Sequence, residues 1–112
     1  MDKRKLIRDM ETRMKLNDLL VNIRRLTGFT VEEMQSESRL RELVYTRTAF
    51  CAIAKETIKA THWQIGAMIC KDHSTVTFMI QQSRDVKEKR ELCQEMSERL
   101  KKHYQEYADY SI

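Results

Sequence analysis

The chain has 112 residues, with 21 Lys and Arg against 17 Asp and Glu, two Gly, no Pro and three Cys. That length allows one small domain rather than two, and so few turn residues exclude a multi-stranded β fold and predict an all-α chain. The formal charge of +4 favours an anionic partner only if the basic residues cluster.

The first residues, Met1 to Arg8, lack the apolar core of a signal peptide, and no stretch reaches the uninterrupted apolar length of a membrane span. Cys51, Cys70 and Cys93 are widely spaced without a CxxC pair. The economical reading is a cytoplasmic protein with three free thiols.

From Lys3 to Thr27 the apolar residues Leu6, Met10, Met14, Leu19, Leu20, Ile23 and Leu26 are read as one face of a helix, with Leu16 off that face. Gly28 is placed to end it as a left-handed cap. Thr30-Val31-Glu32-Glu33 fits a capping box opening a short helical turn toward Met34. Between Ser38 and Lys59 a third helix is predicted from Leu43, Val44, Phe50, Cys51, Ala54 and Ile58, with Arg39, Arg41, Arg47 and Lys55 around its polar side. Thr61-His62-Trp63-Gln64 is a second capping box and starts a short helix to about Ile69. Asp72 or Ser74 then caps another, with the Asp72 carboxylate expected to accept the Thr75 amide. From Ser74 past Tyr107 the series Met79, Val86, Cys93, Leu100 and Tyr107 repeats every seven residues. It predicts one long helix able to pair with another chain or to pack on the first helix of its own.

A helix-turn-helix needs a short support helix, a tight turn and a second helix whose N-terminal residues carry short polar side chains, because that end enters the major groove. His62 to Thr77 meets that description. Ile65-Gly66 followed by Lys71-Asp72-His73-Ser74-Thr75-Val76 resembles the signature of the C-terminal DNA-binding domain of the bacterial replication initiator DnaA, a helix-turn-helix of Trp-repressor-like type. In that family a linker-like helix, a turn, an Arg-rich helix, the helix-turn-helix and a closing helix follow one another, and Thr30 to about Arg84 can be laid onto this order with one gap. The resemblance implies a core at 30–84, flanked within a single domain of 1–112 by a long N-terminal helix at 1–28 and a C-terminal helical extension at 85–112.

The same resemblance carries minor-groove or backbone roles onto Arg39, Arg41 and Arg47, a phosphate-holding role onto Lys55, and base reading onto Lys71, Asp72, His73, Ser74 and Thr75. These residue types suit the roles. A guanidinium fits a narrow minor groove, Asp can accept from a cytosine amino group, His can donate to a base acceptor, and Ser or Thr can touch phosphate or a thymine methyl. The chain departs from the family at the turn: where Phe-Gly-Gly-Arg-Asp-His is usual it reads Ile69-Cys70-Lys71-Asp72-His73, one residue shorter and without glycine. Trp63 replaces a proline-containing start. Since Lys lacks the bidentate fork of Arg, the preferred DNA sequence is open to differ from the initiator's own box. Full-length initiators carry an ATPase module, whereas no GxxxxGK[ST] loop occurs here. The expectation is a DnaA-like binding domain in a small regulator, a phage or mobile-element protein, or an accessory replication factor.

Plainer readings stand beside these. Arg39 and Arg41 can pair with Glu37 and Glu42 on a solvated helix, and the basic start at Lys3, Arg4, Lys5 and Arg8 can be a solvated helix end rather than a phosphate contact. Trp63, Phe50 and the Met residues are expected to be core or support packing. The Cys and His spacing matches no zinc pattern, so no metal, cofactor or nucleotide is expected. The leading expectation is sequence-preferring binding of double-stranded DNA at a DnaA-box-like site, without enzymatic activity, in replication initiation or its regulation. The competing one is a helical interaction protein or transcriptional regulator with a degenerate DNA-binding surface. Either is compatible with a homodimer through the terminal helices and with no membrane contact.

Overall fold

A computed structural model describes residues 2–110, with side chains described to residue 102. Its helices are α1 (Lys3–Thr27), α2 (Val31–Gln35), α3 (Arg41–Ile53) continued by a π-helical turn (Ala54–Ile58), α4 (His62–Ile69), α5 (His73–Asp85) and α6 (Lys87–Tyr110). Among the described residues there is no strand, as the composition predicts.

The local signals act where the sequence places them. Gly28 takes φ 82° and donates its N–H to the Arg24 carbonyl, closing α1. Thr30 and Glu33 form the capping box of α2, and Thr61 and Gln64 that of α4. Each box satisfies two orphan amides at a helix start that would otherwise lack partners.

The core lies where the second half of α1 crosses α3 and the helix-turn-helix, with α6 laid over α3 and α5. Phe50, Leu16, Leu20, Ile23, Ile65, Ile69 and Val76 are fully buried. Burial of side chains this size stabilises the fold by about 1.5–3 kcal/mol each relative to exposure.

Two features differ from the periodicity reading. The α1 apolar residues do not form one face: Leu16 is buried with Leu19, Leu20 and Ile23, while Leu6, Met10 and Met14 are exposed. The five-residue step from Met14 to Leu19 is the reason, since at about 100° per residue it swings the stripe well round the helix. The heptad series is also broken. Val86 adopts extended backbone (φ −96°, ψ 116°) between α5 and α6, and the Arg90 guanidinium donates to the Arg84 carbonyl at 2.9 Å across the bend. The bend lets α6 fold back on α3 and α5, and burial of Met96 and Leu100 replaces continuation of one straight helix. Tyr107 lies outside the described side chains. No helix among the described residues is long and apolar enough to cross a membrane.

Candidate nucleic-acid interface

The turn between α4 and α5 is built by close backbone approach. Gly66 is buried on α4, and a Cβ there would run into the Lys71 carbonyl oxygen. The Lys71 amide donates to the Gly66 carbonyl at 2.9 Å. Cys70 ends α4 in the left-handed region (φ 56°, ψ 42°), so a cysteine holds the conformation that favours glycine. The turn is tight despite lacking the family's paired glycines.

The inner face of α5 buries Val76, Ile80 and Ser83. Its outer face presents Ser74, Thr77, Phe78 and Gln81 to solvent, with His73 half-buried at the start. Phe78, 59% exposed, is a large apolar side chain on an otherwise polar stripe. It escapes the sequence reading because nothing in a single phenylalanine at helical spacing distinguishes an outer from an inner position.

The start of α5 is joined to the start of α4 by two contacts. The Trp63 and His73 rings stack with centroids 3.7 Å apart and planes 19° apart. Thr77 gives its hydroxyl proton to the His73 carbonyl at 3.0 Å, so His62 Nδ1 is the donor in its 2.6 Å contact with Thr77 Oγ1. Trp63 is 67% exposed, which rules out the core half of its expected core or support packing. Its ring has a partner at the surface instead.

Asp72 stands at the N-cap position of α5 but makes no side-chain cap hydrogen bond. Rather than the Thr75 amide, its carboxylate accepts from Ser74 Oγ at 2.6 Å and from His73 Nδ1 at 3.0 Å. The Ser74 hydroxyl, and then His73, hold the Asp72 carboxyl below its ordinary range. Thr75 is half-buried and lies off the outer stripe.

Arg47 is also placed differently from expectation. It is buried, and its guanidinium donates to the Met34 carbonyl (2.9 Å), the Ser38 carbonyl (2.6 Å), the Glu33 carbonyl (3.1 Å) and the Ser36 carbonyl (2.7 Å). Burial pulls its pKa down, with Glu37 opposing that shift. A side chain so committed has no surface from which to hold a phosphate. It shapes the chain between α2 and α3 by satisfying carbonyls left open where α2 ends.

Lys71 joins the same loop from the other side. Its ammonium donates to the Ser36 carbonyl at 2.8 Å, so in this structure it braces the turn rather than projecting as a base reader. The Gln35 amide donates to the Met68 carbonyl at 3.0 Å. Residues 36–40 are thus tied to both α3 and the helix-turn-helix. Arg39, exposed on this loop, makes no ion pair with a described residue. Arg41 opens α3, pairs with Glu88 of α6 at 3.2 Å and lies over the Tyr45 ring at 5.2 Å. The Tyr45 hydroxyl, more than Glu88, raises its pKa further.

Lys55, in the π-helical turn, lines a groove of about 950 Å³ together with Ile80, Ser83 and Arg84. It therefore faces the second half of α5, about 10 Å or more along that helix from His73. The structure ties the loop that carries Arg39 to Lys71 through the Ser36 carbonyl, next in the chain to Asp72, His73 and Ser74, and leaves Lys55 outside that group. Among the described residues, no three His, Cys, Asp or Glu side chains gather as a metal site.

An eight-residue support helix, a turn closed on glycine and a second helix with an exposed polar stripe at its start define a helix-turn-helix of the DNA-binding class. The family model described as the bacterial DnaA protein helix-turn-helix matches residues 17–82, and the chain belongs to that family. No curated protein and no solved structure matches the chain. The match starts beside Leu16, where α1 enters the core, so the buried half of α1 falls within the family's domain rather than before it. Membership makes this a DNA-binding helix-turn-helix protein that acts on the double-stranded form.

Proposed function

We propose that the protein reads duplex DNA with sequence preference, at a site of the DnaA-box kind, and acts in replication initiation or its control. It does so in the cytoplasm by binding alone, with no reaction of its own. The observation that carries this reading is the tie between Lys71 and the Ser36 carbonyl, which holds the Arg39 loop and the start of α5 as one edge. An edge of that kind can put a helix start into the major groove while a guanidinium enters the minor groove beside it.

In this reading His73 and Ser74 meet base edges, Asp72 accepts from a cytosine amino group, and Phe78 packs on a thymine methyl. Trp63 backs His73 and fixes its ring plane through the stack. Arg39 takes the minor groove. Arg41 reaches phosphate once released from Glu88, a cheap step for an exposed pair. Lys71 contributes by holding the turn, and Arg47 by holding the loop.

Selection from a random duplex library at physiological salt, run with the native protein and with His73→Ala, tests the reading. The expected result is an enriched motif in the native pool that loses definition in the variant, at about 1–3 kcal/mol for the affected base. No enrichment in either pool would reject sequence preference and leave the competing interaction-protein reading. That alternative is favoured by one observation, the exposed apolar stripe on α1.

A further inference from the structure

The first half of α1 stands outside the core, with Leu6 47%, Ile7 55%, Met10 55% and Met14 69% exposed, and Val21 continues the stripe at 40%. At about 100° per residue these side chains centre on a direction roughly 145° from that of buried Leu16, Leu19, Leu20 and Ile23. The helix thus has a second apolar face, pointed away from its own domain. A contiguous exposed patch of this kind marks an interaction surface.

Its spacing identifies the occupant. Ile7, Met14 and Val21 recur every seven residues, with Met10 and Asn17 between them, which is the a and d seam of a two-stranded coil. β-branched Ile7 and Val21 at the a positions suit two strands rather than three or four. Beside the seam, Arg13 lies on one side and Arg4, Glu11 and Asp18 on the other. In a parallel, in-register pair each Arg13 falls opposite the other copy's Asp18, because a g residue meets the e residue five positions on in its partner.

We propose that α1 is a homodimerisation helix, and that its partner is α1 of a second copy of this chain, parallel and in register along Ile7, Met10, Met14 and Val21. Since the domain lies on the opposite side of α1, two copies pair with their DNA-binding ends outward. The pairing is argued from α1 alone and stands whether or not the helix-turn-helix proves sequence-selective.

Sedimentation equilibrium of the full chain over a range of concentrations is the test. The expected result is a mass rising toward that of the dimer, abolished by Met14→Glu, with helical circular dichroism retained because Met14 is exposed. Arg13→Asp weakens association several-fold, and adding Asp18→Arg to it restores the native value. Ile7→Cys in a Cys70→Ser background forms a disulfide between copies, as only parallel pairing puts residue 7 against itself. A monomer at every concentration would overturn the proposal. So would a dimer indifferent to Met14→Glu, failure of the charge swap to restore association, or binding of anionic lipid vesicles by a chain that does not self-associate.

Discussion

Two residues set the geometry of the turn, and each predicts a measurable change. Cys70 holds a left-handed backbone at φ 56°, a conformation that costs an L-residue about 1–2 kcal/mol and glycine almost nothing. Cys70→Gly is expected to raise stability by about 0.5–1 kcal/mol, the remainder being offset by the greater freedom of glycine in the unfolded chain. Thermal unfolding checks this, and an unchanged or lower midpoint would sink the strain argument. Gly66 acts in the opposite sense, because the obstacle to a Cβ is the Lys71 backbone and not a side chain that can swing aside. Gly66→Ala should cost about 1–3 kcal/mol and weaken DNA binding by displacing the start of α5. Unaltered denaturant midpoint and affinity would show that the turn relaxes freely. At this scale Gly66 is legible in the sequence through its place in the motif. The Cys70 conformation is not, since residue type argues against it.

Among the elements, the loop between α2 and α3 depends on a single side chain. Arg47 gives its donors to four backbone carbonyls from Glu33 to Ser38, a planar fork that a lysine ammonium cannot reproduce. Arg47→Ala and Arg47→Lys are both expected to destabilise the fold, the alanine change by about 3 kcal/mol or more, since buried carbonyls lose charged partners together. Recovery of native stability by lysine in urea unfolding would contradict the fork argument. The sequence shows an arginine on an Arg-rich helix, which suits phosphate as well as it suits carbonyls. Burial distinguishes the two roles, and burial follows from tertiary packing. Capping boxes at Thr30 and Thr61 are legible because both partners lie within four residues. The bend at Val86 is hidden because neither Gly nor Pro marks it, and its cause is the packing of Met96 and Leu100. The Trp63 to His73 stack is hidden for a similar reason, as ten residues separate rings that only the turn brings together.

At the scale of the whole molecule, the separation of Lys55 from the start of α5 decides how the duplex can lie. The notable excess of Lys and Arg over Asp and Glu is only four, so a few well-placed cations carry the electrostatic part of binding. Arg39 stands beside the turn on a loop fixed by Lys71 and Gln35. Lys55 instead faces Ile80, Ser83 and Arg84. A recognition helix reads bases through its N-terminal residues, and in the proposed reading a duplex engaged at His73 presents its minor groove to Arg39 and does not run along the far half of α5, where Lys55 lies. Each cation that neutralises a phosphate charge, from inside the minor groove or along the backbone, contributes about 0.9 to the slope of log affinity against log salt. Arg39→Ala is therefore expected to flatten that slope by about one, and Lys55→Ala to leave it unchanged. Titrating the selected duplex at several salt concentrations measures both. A unit loss of slope on Lys55→Ala would mean that the duplex runs along the length of α5, with the groove between the π-helical turn and α6 turned toward its backbone.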